Sequence, residues 1–594
     1  MLSTVKKGSN SPQFIKRKLN EQVYDNAIEL GLDPIVSRIL SARGLNNNLP
    51  LEQIIFPKLQ YLSAPKMQDM EIASQRLAKA IISQECIGVE TDHDCDGQTS
   101  HAIIVDNLVR HFKHPKEKIR SYIGHRLEEG YGLSLPVANR ILADNPRPTL
   151  IITADNGSTD EPRIALLKEQ GIDVIVTDHH QIPCEGVPKS AFATINPTRE
   201  DCCYPDSCIA GCMVAWLLMT ATRNELIIAG YCDKTIPKLA DTLDFVAVGT
   251  VADCVSMARS QNNRAVVQFG LKLINQGTRH CWQVLKEHLG GEITSEGIGF
   301  GIGPLLNSDG RLSNAFKSVS FLLSDDIAEA NNWLATLCEQ NDKRKQIQND
   351  ITSRGMKVAW QQAEQGDNSI REFLENGHSG VHGISASRLK DSFGRPVVFM
   401  ARKLSDPNLI TGSLRGIDGF DIKKSLDYIN KQDSSIFEAF GGHEGAGGIT
   451  IKAENLKLFM SKFEKFCSVA LTREQIGPKV YVDDELNSDV SLALLNSLET
   501  LEPFGREFEQ PVFTQMVTIL QLRWVGNGTH LRVQFCTKSG QPNWGIWFSA
   551  RHSEDDTVDL VEGNKVKLVF SVKKSTFSYS RIDYLIKGFT RVAS

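Results

Sequence analysis

The run Thr91-Asp92-His93-Asp94-Cys95-Asp96-Gly97 sets carboxylates on alternate residues directly behind a short apolar stretch, Cys86-Ile87-Gly88-Val89-Glu90. On a continuing strand such side chains share one face, and at a strand end they can converge on a cation. Anions this close repel one another unless cations compensate. Taken alone, the run also fits an Asp-rich turn or an isolated Ca2+ loop. Three further segments repeat the arrangement. Asp155 follows Leu150-Ile151-Ile152-Thr153 and precedes Asn156-Gly157, and Asp178-His179-His180 follows Val174-Ile175-Val176-Thr177. Asp253 closes the apolar run Val246-Ala247-Val248-Gly249-Thr250-Val251-Ala252. Read as four strand ends of one α/β domain, these segments predict a metal site on the rim where such sheets bind ligands. Carboxylate oxygens with imidazoles suit Mn2+ or Mg2+ better than a thiolate zinc site. The candidates outnumber what one octahedral ion takes, which predicts two ions about 4 Å apart, an arrangement suited to phosphoester hydrolysis.

The elements that must position these residues are an α/β framework. Residues 20–85 read as helical, with apolar positions at helical spacing in Ile35–Leu40 and Ile72–Ile81. From residue 86 short apolar strands alternate with helical stretches, the signature of a doubly wound parallel sheet. Residues 325–365 read as one long polar helix, a spacer before a second α/β block. That block opens with a strand at Val381-His382-Gly383-Ile384 and includes Pro396-Val397-Val398-Phe399-Met400. From about 476 short strands recur with Gly and Asn turns (Val480–Val482, Val517–Leu520, Leu531–Phe535, Lys565–Phe570), which suggests a small barrel. The expected domains are a helical region 1–75, a catalytic domain 76–320, a connecting helix 321–370, a second α/β domain 371–472 and a β-barrel 473–594.

Composition sets outer limits. At 594 residues, 41% hydrophobic and 23% charged, the chain reads as an ordinary globular protein of three or four domains. Its net charge of −5 argues against a broadly basic nucleic-acid coat and leaves room for a local positive channel. No apolar run approaches the roughly 20 residues of a membrane span. Met1–Lys7 is not followed by an apolar h-region, so a cytoplasmic protein with reduced thiols is expected. Cys202, Cys203, Cys208 and Cys212, with Cys184 upstream, lack CxxC…CxxC spacing and read as free thiols rather than a structural zinc site.

A phosphodiester must be held as well as cut, which calls for arginines and main-chain N–H groups. Arg126, Arg311, Arg388 and Arg415 sit in or beside Gly- or Ser-rich turns, though any single one also fits a surface salt bridge. Gly441-Gly442-His443-Glu444-Gly445-Ala446-Gly447-Gly448 reads as an exposed-backbone loop suited to anions.

Taken together, the Asp92–Gly97 run, Asp155 and Asp178-His179-His180 resemble the successive motifs of the DHH phosphoesterase superfamily. Further segments narrow the resemblance to its RecJ family: Glu129-Gly130-Tyr131-Gly132, Gly249–Asp253, Ile302-Gly303-Pro304 with Asn307, and Gly310-Arg311-Leu312. Gly383–Leu389, Gly412-Ser413-Leu414-Arg415, Gly441-Gly442-His443 and Pro503-Phe504-Gly505 follow in the same order. The resemblance implies that Asp92, Asp94, Asp96, Asp155, His179 and Asp253 bind or surround two divalent ions, Mn2+ or Mg2+. It makes His180 and Asp155 catalytic, with His180 toward the scissile phosphate. It implies substrate contacts at Arg126, Arg311, Ser385, Arg388, Ser413, Arg415, Gly442 and His443, with Arg126, Ser413 and Arg415 anchoring a 5′ phosphate.

The same resemblance makes the C-terminal barrel an OB-fold. There Trp524, Trp544, Trp547, Phe577 and Tyr579 either stack on bases or fill the core, with Lys573, Lys574 and Arg581 near the backbone. It implies a single-strand-specific 5′-to-3′ exonuclease releasing mononucleotides in DNA repair and recombination. The implied protein is a monomer working with a RecQ-type helicase and a single-strand-binding protein. Two rivals are an enzyme for short RNA or small nucleotides and a non-catalytic replication scaffold. The chain departs from the family pattern at His93, Cys95, Asn156, Leu305-Leu306 and Asp309. None of these removes a candidate ligand, and His93 either adds a ligand or replaces ring packing.

Overall fold

A computed structural model describes residues 12–45, 50–526, 528–551, 558–575 and 582–591. Phe577, Tyr579 and Arg581 lie outside the described residues, as does the stretch Met1–Lys7. Contacts divide the chain into two units: residues 43–344 with 500–509, and the stretch up to 42 with 345–499 and 510 onward. The helix Met70–Ile82 runs through the boundary expected at 75.

The first unit is built on a parallel sheet ordered Ile119–Ile123, Ile87–Thr91, Leu150–Ala154, Asp173–Thr177, Ala193–Ile195. Strands Ile87–Thr91 and Leu150–Ala154 are buried at every residue, the state that continuous apolar runs reach when both sheet faces are covered. One face packs against Val137, Ile141, Ile164 and Leu167, from the helices Leu135–Ala143 and Glu161–Glu169. The helices Cys95–Asp106, Gly211–Ile228 and Leu243–Ala252 pack together as a further buried layer.

Residues 243–252 correct the sequence reading, because they form a helix rather than a strand. The helix is buried along nearly its whole length, so its sequence is apolar on every side and carries no helical period. Asp253 is therefore the C-terminal cap of a helix and not a strand end.

The segment 500–509 is pinned into this unit by a buried cation. Arg264, on the helix Gln261–Gln276, is fully buried and donates to the carbonyls of Ile54 (2.6 Å), Leu501 (3.0 Å) and Pro503 (3.2 Å). Its guanidinium carbon stands 4.5 Å from the Phe508 ring centroid. Burial lowers its pKa to about 10, which leaves it charged at neutral pH. Around it, Arg43 donates to the Glu509 carbonyl at 2.9 Å, and Arg259 pairs with Glu507 at 2.8 Å.

The second unit holds a mixed sheet ordered Phe437–Gly442, Ala446–Lys452, Asp406–Arg415, Val397–Lys403, Ile370–Leu374. The helix Ile327–Gln365 contributes Ile351, Ala359 and Ala363 to the core on one side of the sheet, beside the helix Ser379–Phe393. The helices Ile422–Gln432 and Leu456–Ala470 build the core on the other. Val381–Ile384, expected as the opening strand, lies within the helix Ser379–Phe393, and the opening strand is Ile370–Leu374. A four-residue run is too short for its β-branched content to decide between the two.

The C-terminal strands Phe513–Val525, His530–Cys536, Pro542–Trp547, Ile582–Arg591 and Lys565–Lys574 close on themselves, the last pairing back to the first. Phe513, Ile519, Val533, Phe535, Leu568 and Phe570 fill the barrel. The tryptophans do not share that burial. Trp524 is 37% exposed under the Arg551 guanidinium, and Trp544 is half-buried under Arg532. The strand Gln13–Lys16 pairs in parallel with Lys479–Val482, so the N-terminal stretch belongs with this unit. Among the described residues no helix is long and apolar enough to cross a membrane.

Replacing Arg264 with Ala strips three carbonyls of their donor and opens a cavity. The expected cost is about 3–5 kcal/mol, read as a lower urea midpoint of unfolding.

Candidate metal centre

The strand Ile87–Thr91 ends immediately before the acidic run, and the chain then turns into the helix Cys95–Asp106. Asp94 caps that helix, its Oδ1 accepting from the N–H groups of Asp96 (3.0 Å) and Gly97 (3.2 Å). Asp96 lies in the first helical turn, and its carboxylate accepts from Gly211 N (2.7 Å) and Cys212 N (3.0 Å). Those donors open the helix Gly211–Ile228, whose positive end favours an anion. The three carboxylates thus converge through a strand–turn–helix bend rather than along a single strand face.

Two glycines set how close this packing comes. A Cβ on Gly211 would lie 2.7 Å from the Cβ of Asp155, and one on Gly310 would lie 2.1 Å from the His93 carbonyl oxygen. On the same helix as Gly310, Asn307 Oδ1 accepts from Cys95 N at 2.8 Å. The spacing of Asn307 and Gly310 is therefore that of a helix laid against the acidic bend.

Asp155 follows its strand in a left-handed conformation, φ 64°, which a non-glycine residue adopts only where its surroundings enforce it. His179 Nε2 stands 3.1 Å from Asp155 Oδ1, 3.6 Å from Asp253 Oδ2 and 3.9 Å from Asp96 Oδ2. Three overlapping groups could hold a metal ion: Asp92, Asp94 and Asp155; Asp96, His179 and Asp253; and Asp155, His179 and His180. Every residue expected as a ligand falls in one of them.

Asp155 Oδ1 and His179 Nε2 are buried and neither has a hydrogen-bond partner, a costly state that a cation would relieve. Burial first, and then the neighbouring carboxylates, push Asp155 and Asp253 well above the usual carboxylate range and Asp94 above it. The donor set is oxygen and imidazole nitrogen, which fits Mn2+ or Mg2+. Among the described residues no such group contains a cysteine, and Cys202, Cys203, Cys208 and Cys212 are free thiols.

Asp178 has a different task from its neighbours. Its Oδ1 accepts from His179 N (2.7 Å), His180 N (3.1 Å) and His180 Nδ1 (2.8 Å), and its Oδ2 from Ser158 N (3.0 Å). Burial opposes its charge, yet these bonds and the two histidines hold Asp178 well below the usual carboxylate range. Burial likewise opposes a charged His180, but the bond to Asp178 raises that imidazole to about 9. With Nδ1 taken, His180 presents Nε2 outward, 3.4 Å from the Tyr131 hydroxyl.

Sequence reasoning assigned no task to Asp178 or Tyr131, although each stands in a quoted motif. His93 pairs with Asp92 Oδ1 at 2.9 Å and meets the Tyr131 ring edge-on, and it belongs to none of the three groups. Asp309 is buried and accepts from Lys317 N and Ser318 N, capping the helix Phe316–Leu322. It departs from the family pattern as a structural residue.

The expected substrate contacts divide between the units. Arg126 is exposed in the loop after Ile119–Ile123, and its charge helps hold down the Asp92 pKa against burial. Arg311 is half-buried, directly after Gly310. In the other unit, Ala446 pairs with Arg415 and Gly448 with Ser413. The glycine run is a β-hairpin rather than an open loop, since Gly441 pairs with Gly448 and Gly442 with Gly447. Only residues 443–445 form its turn, with His443 exposed there. The second strand of the hairpin, Ala446–Lys452, lies between Gly442 and the Ser413 strand.

Arg415 donates from Nε to Ser387 Oγ (3.1 Å) and from Nη1 to the Leu414 carbonyl (2.8 Å). Arg388 reaches Asn349 Oδ1 at 3.3 Å. Ser385 departs from its expected role, because it is fully buried and accepts from the Thr352 hydroxyl at 3.0 Å. The serine that faces Arg415 is Ser387, two residues and about 200° further round the helix.

The comparisons agree with this geometry. Residues 86–250 match the DHH family N-terminal domain, 366–469 the DHHA1 domain and 482–584 the RecJ OB domain. Sheet, rim and match together define a DHH-type phosphoesterase. Two curated relatives are single-stranded-DNA-specific RecJ exonucleases. That of Haemophilus influenzae is 32% identical over 85% of this chain and 88% of its own, and that of Escherichia coli 31% identical over 89% and 90%. RecJ of Thermus thermophilus in complex with Mn2+ superposes with a TM-score of 0.79 at 22% identity, covering 99% of this chain and 81% of that one. Exonuclease RecJ bound to manganese matches at TM-score 0.56 and 28% identity, over 68% and 95%. The chain belongs to the RecJ family.

The raised pKa of Asp155 carries a sign for stability. At neutral pH, above the unfolded value, the preference of the folded site for the protonated carboxyl destabilises the metal-free fold. In EDTA, Asp155→Asn is expected to melt above wild type at pH 7, and the difference should vanish near pH 3, below the unfolded carboxyl pKa of about 3.9. With Mn2+ at a hundredfold excess over its dissociation constant, wild type gains about 2.7 kcal/mol. The variant should gain little, as calorimetry in the two buffers will report.

Proposed function

We propose that this chain is a single-stranded-DNA-specific exonuclease that hydrolyses phosphodiester bonds from the 5′ end and releases 5′-mononucleotides. One observation carries the reading: three ligand groups overlap through Asp155 and His179 on one sheet rim, with buried ligand atoms left without a hydrogen bond. Asp92, Asp94, Asp96, Asp155, His179 and Asp253 would hold two divalent ions, Mn2+ or Mg2+. When bound, such ions polarise a phosphoryl oxygen and lower the pKa of water.

The protein's own groups do the rest. His180, its Nδ1 held by Asp178, would offer Nε2 to a phosphate oxygen or the leaving oxygen. Asp178 fixes that ring's orientation. The Tyr131 hydroxyl, 3.4 Å from His180 Nε2, would share that atom with the substrate. Arg126 and Arg311 would bind phosphate oxygens beside the acidic bend. Ser413 and Arg415, with Gly442 and His443, would anchor the 5′ terminus.

The expected setting is DNA repair and recombination in the cytoplasm. The protein would act there as a monomer with a RecQ-type helicase and a single-strand-binding protein. A scaffold descended from such an enzyme would be expected to lose ligands, and this rim retains every one. The closed barrel at 482–584 favours a polynucleotide over a small nucleotide.

Polarity is tested with end-blocked strands in Mn2+. A blocked 5′ end should stop release of nucleotides while a blocked 3′ end should not, and duplex should resist. Equal rates from both ends would point to an endonuclease.

Arg415→Ala isolates the terminal grip. Loss of a charge-assisted contact of roughly 1.5–3 kcal/mol should raise KM about 10- to 150-fold on 5′-phosphorylated strands. The preference over 5′-hydroxyl strands should shrink with it, and Mn2+ affinity should hold. Equal loss on both strands would reduce Arg415 to a structural residue.

A further inference from the structure

The segment 500–509 does more than fill a groove of the first unit. Arg506 lies at its middle, with an exposed side chain. The Met257 N–H donates to the Arg506 carbonyl at 3.0 Å, and a Cβ on Gly505 would meet the Met257 side chain at 2.7 Å. Glu507, the next residue, is spent on Ser256 (2.6 Å) and Arg259 (2.8 Å). Arg264 grips the carbonyls of Leu501 and Pro503 from beneath. The backbone that carries Arg506 is therefore fixed on both sides.

The guanidinium reaches the end of the helix Leu243–Ala252, which Asp253 caps. Its Nη1 donates to the Cys254 carbonyl at 3.5 Å, one residue beyond Asp253, where the chain turns at φ 58°. Among the described residues it forms no ion pair, although its charge is felt by both Asp253 and Cys254. Arg126 stands in the same relation to Asp92. Asp92 and Asp253 belong to different ligand groups, and each feels the charge of an exposed guanidinium. An exposed guanidinium without an ion pair, on a rigid backbone beside an acidic metal centre, is suited to a phosphate that crosses that centre.

We propose that Arg506 is a positioning residue that grips a backbone phosphate of the bound strand on the Asp253 side of the metal centre. The proposal rests on the single-strand nuclease reading and adds a contact that the motifs of the sequence do not contain. An internal phosphate is the target, so the grip is indifferent to the chemistry of the 5′ end. The competing role is a cation at the C-terminus of the helix Leu243–Ala252, which would stabilise the fold and leave the substrate untouched.

The test uses the full chain as wild type, Arg506→Ala and Arg506→Lys, with 5′-phosphorylated and 5′-hydroxyl single strands in Mn2+. Arg506→Ala is expected to raise KM about tenfold on both strands alike and leave kcat within about twofold. The slope of log kcat/KM against log salt should become shallower by about 0.7, the share of one phosphate contact on a single strand. Arg506→Lys should recover most of the salt slope. Melting temperature and the Mn2+ titration midpoint should match wild type.

Unchanged KM and salt slope would overturn the proposal. So would a loss that tracks a lowered melting temperature or a shifted Mn2+ midpoint, which would make Arg506 a helix cap or a ligand partner. Should wild type prove inactive on DNA, the nuclease reading fails. Arg506 is then judged by fluorescence anisotropy of a labelled single strand, where about tenfold weaker binding by Arg506→Ala supports the grip and equal binding refutes it.

Discussion

Repulsion among buried carboxylates is the constraint around which the first unit is organised. Asp92, Asp94, Asp96, Asp155 and Asp253 converge where little water reaches them, and burial, then the neighbouring carboxylates, drive the pKa values of Asp94, Asp155 and Asp253 upward. Main-chain donors absorb part of that cost: Asp94 takes two from its own helix, and Asp96 takes two from the start of another. These bonds require helix ends to approach the cluster closely, which leaves room only for glycine at 211 and 310. What the donors do not absorb is the affinity the site holds for cations.

The tripeptide Asp178-His179-His180 divides its labour by geometry. Its strand ends at Thr177, and the backbone turn brings two N–H groups onto Asp178 Oδ1. That carboxylate is thereby saturated and turned away from metal. His179 faces the other aspartates, and His180, tethered through Nδ1, faces solvent. Adjacent residues of similar chemistry thus face three different surroundings, a distinction set by hydrogen bonds and not by residue type.

Much of this was legible in the sequence because parallel strands announce themselves as unbroken apolar runs with polar residues at their ends. The strands before Asp92, Asp155 and Asp178 fall where that pattern puts them. The same pattern misleads at Leu243–Ala252, where a helix buried on all sides imitates a buried strand. Val381–Ile384 misleads for lack of length. Ser385 and Ser387 are two residues apart in one motif, and only the helix decides which of them faces Arg415. The pairing of Gln13–Lys16 with Lys479–Val482, and the seat of residues 500–509, join positions hundreds of residues apart and leave no local trace.

The family match assigns 482–584 to one module, yet 500–509 lies inside that span and belongs to the other unit. Cutting the gene at the module boundary would strip Arg264 of the Leu501 and Pro503 carbonyls and of the Phe508 ring, leaving it the Ile54 carbonyl. The barrel and the catalytic sheet are therefore not exchangeable parts. A chain that lost the C-terminal module would thus lose the cover of that arginine together with most of its acceptors.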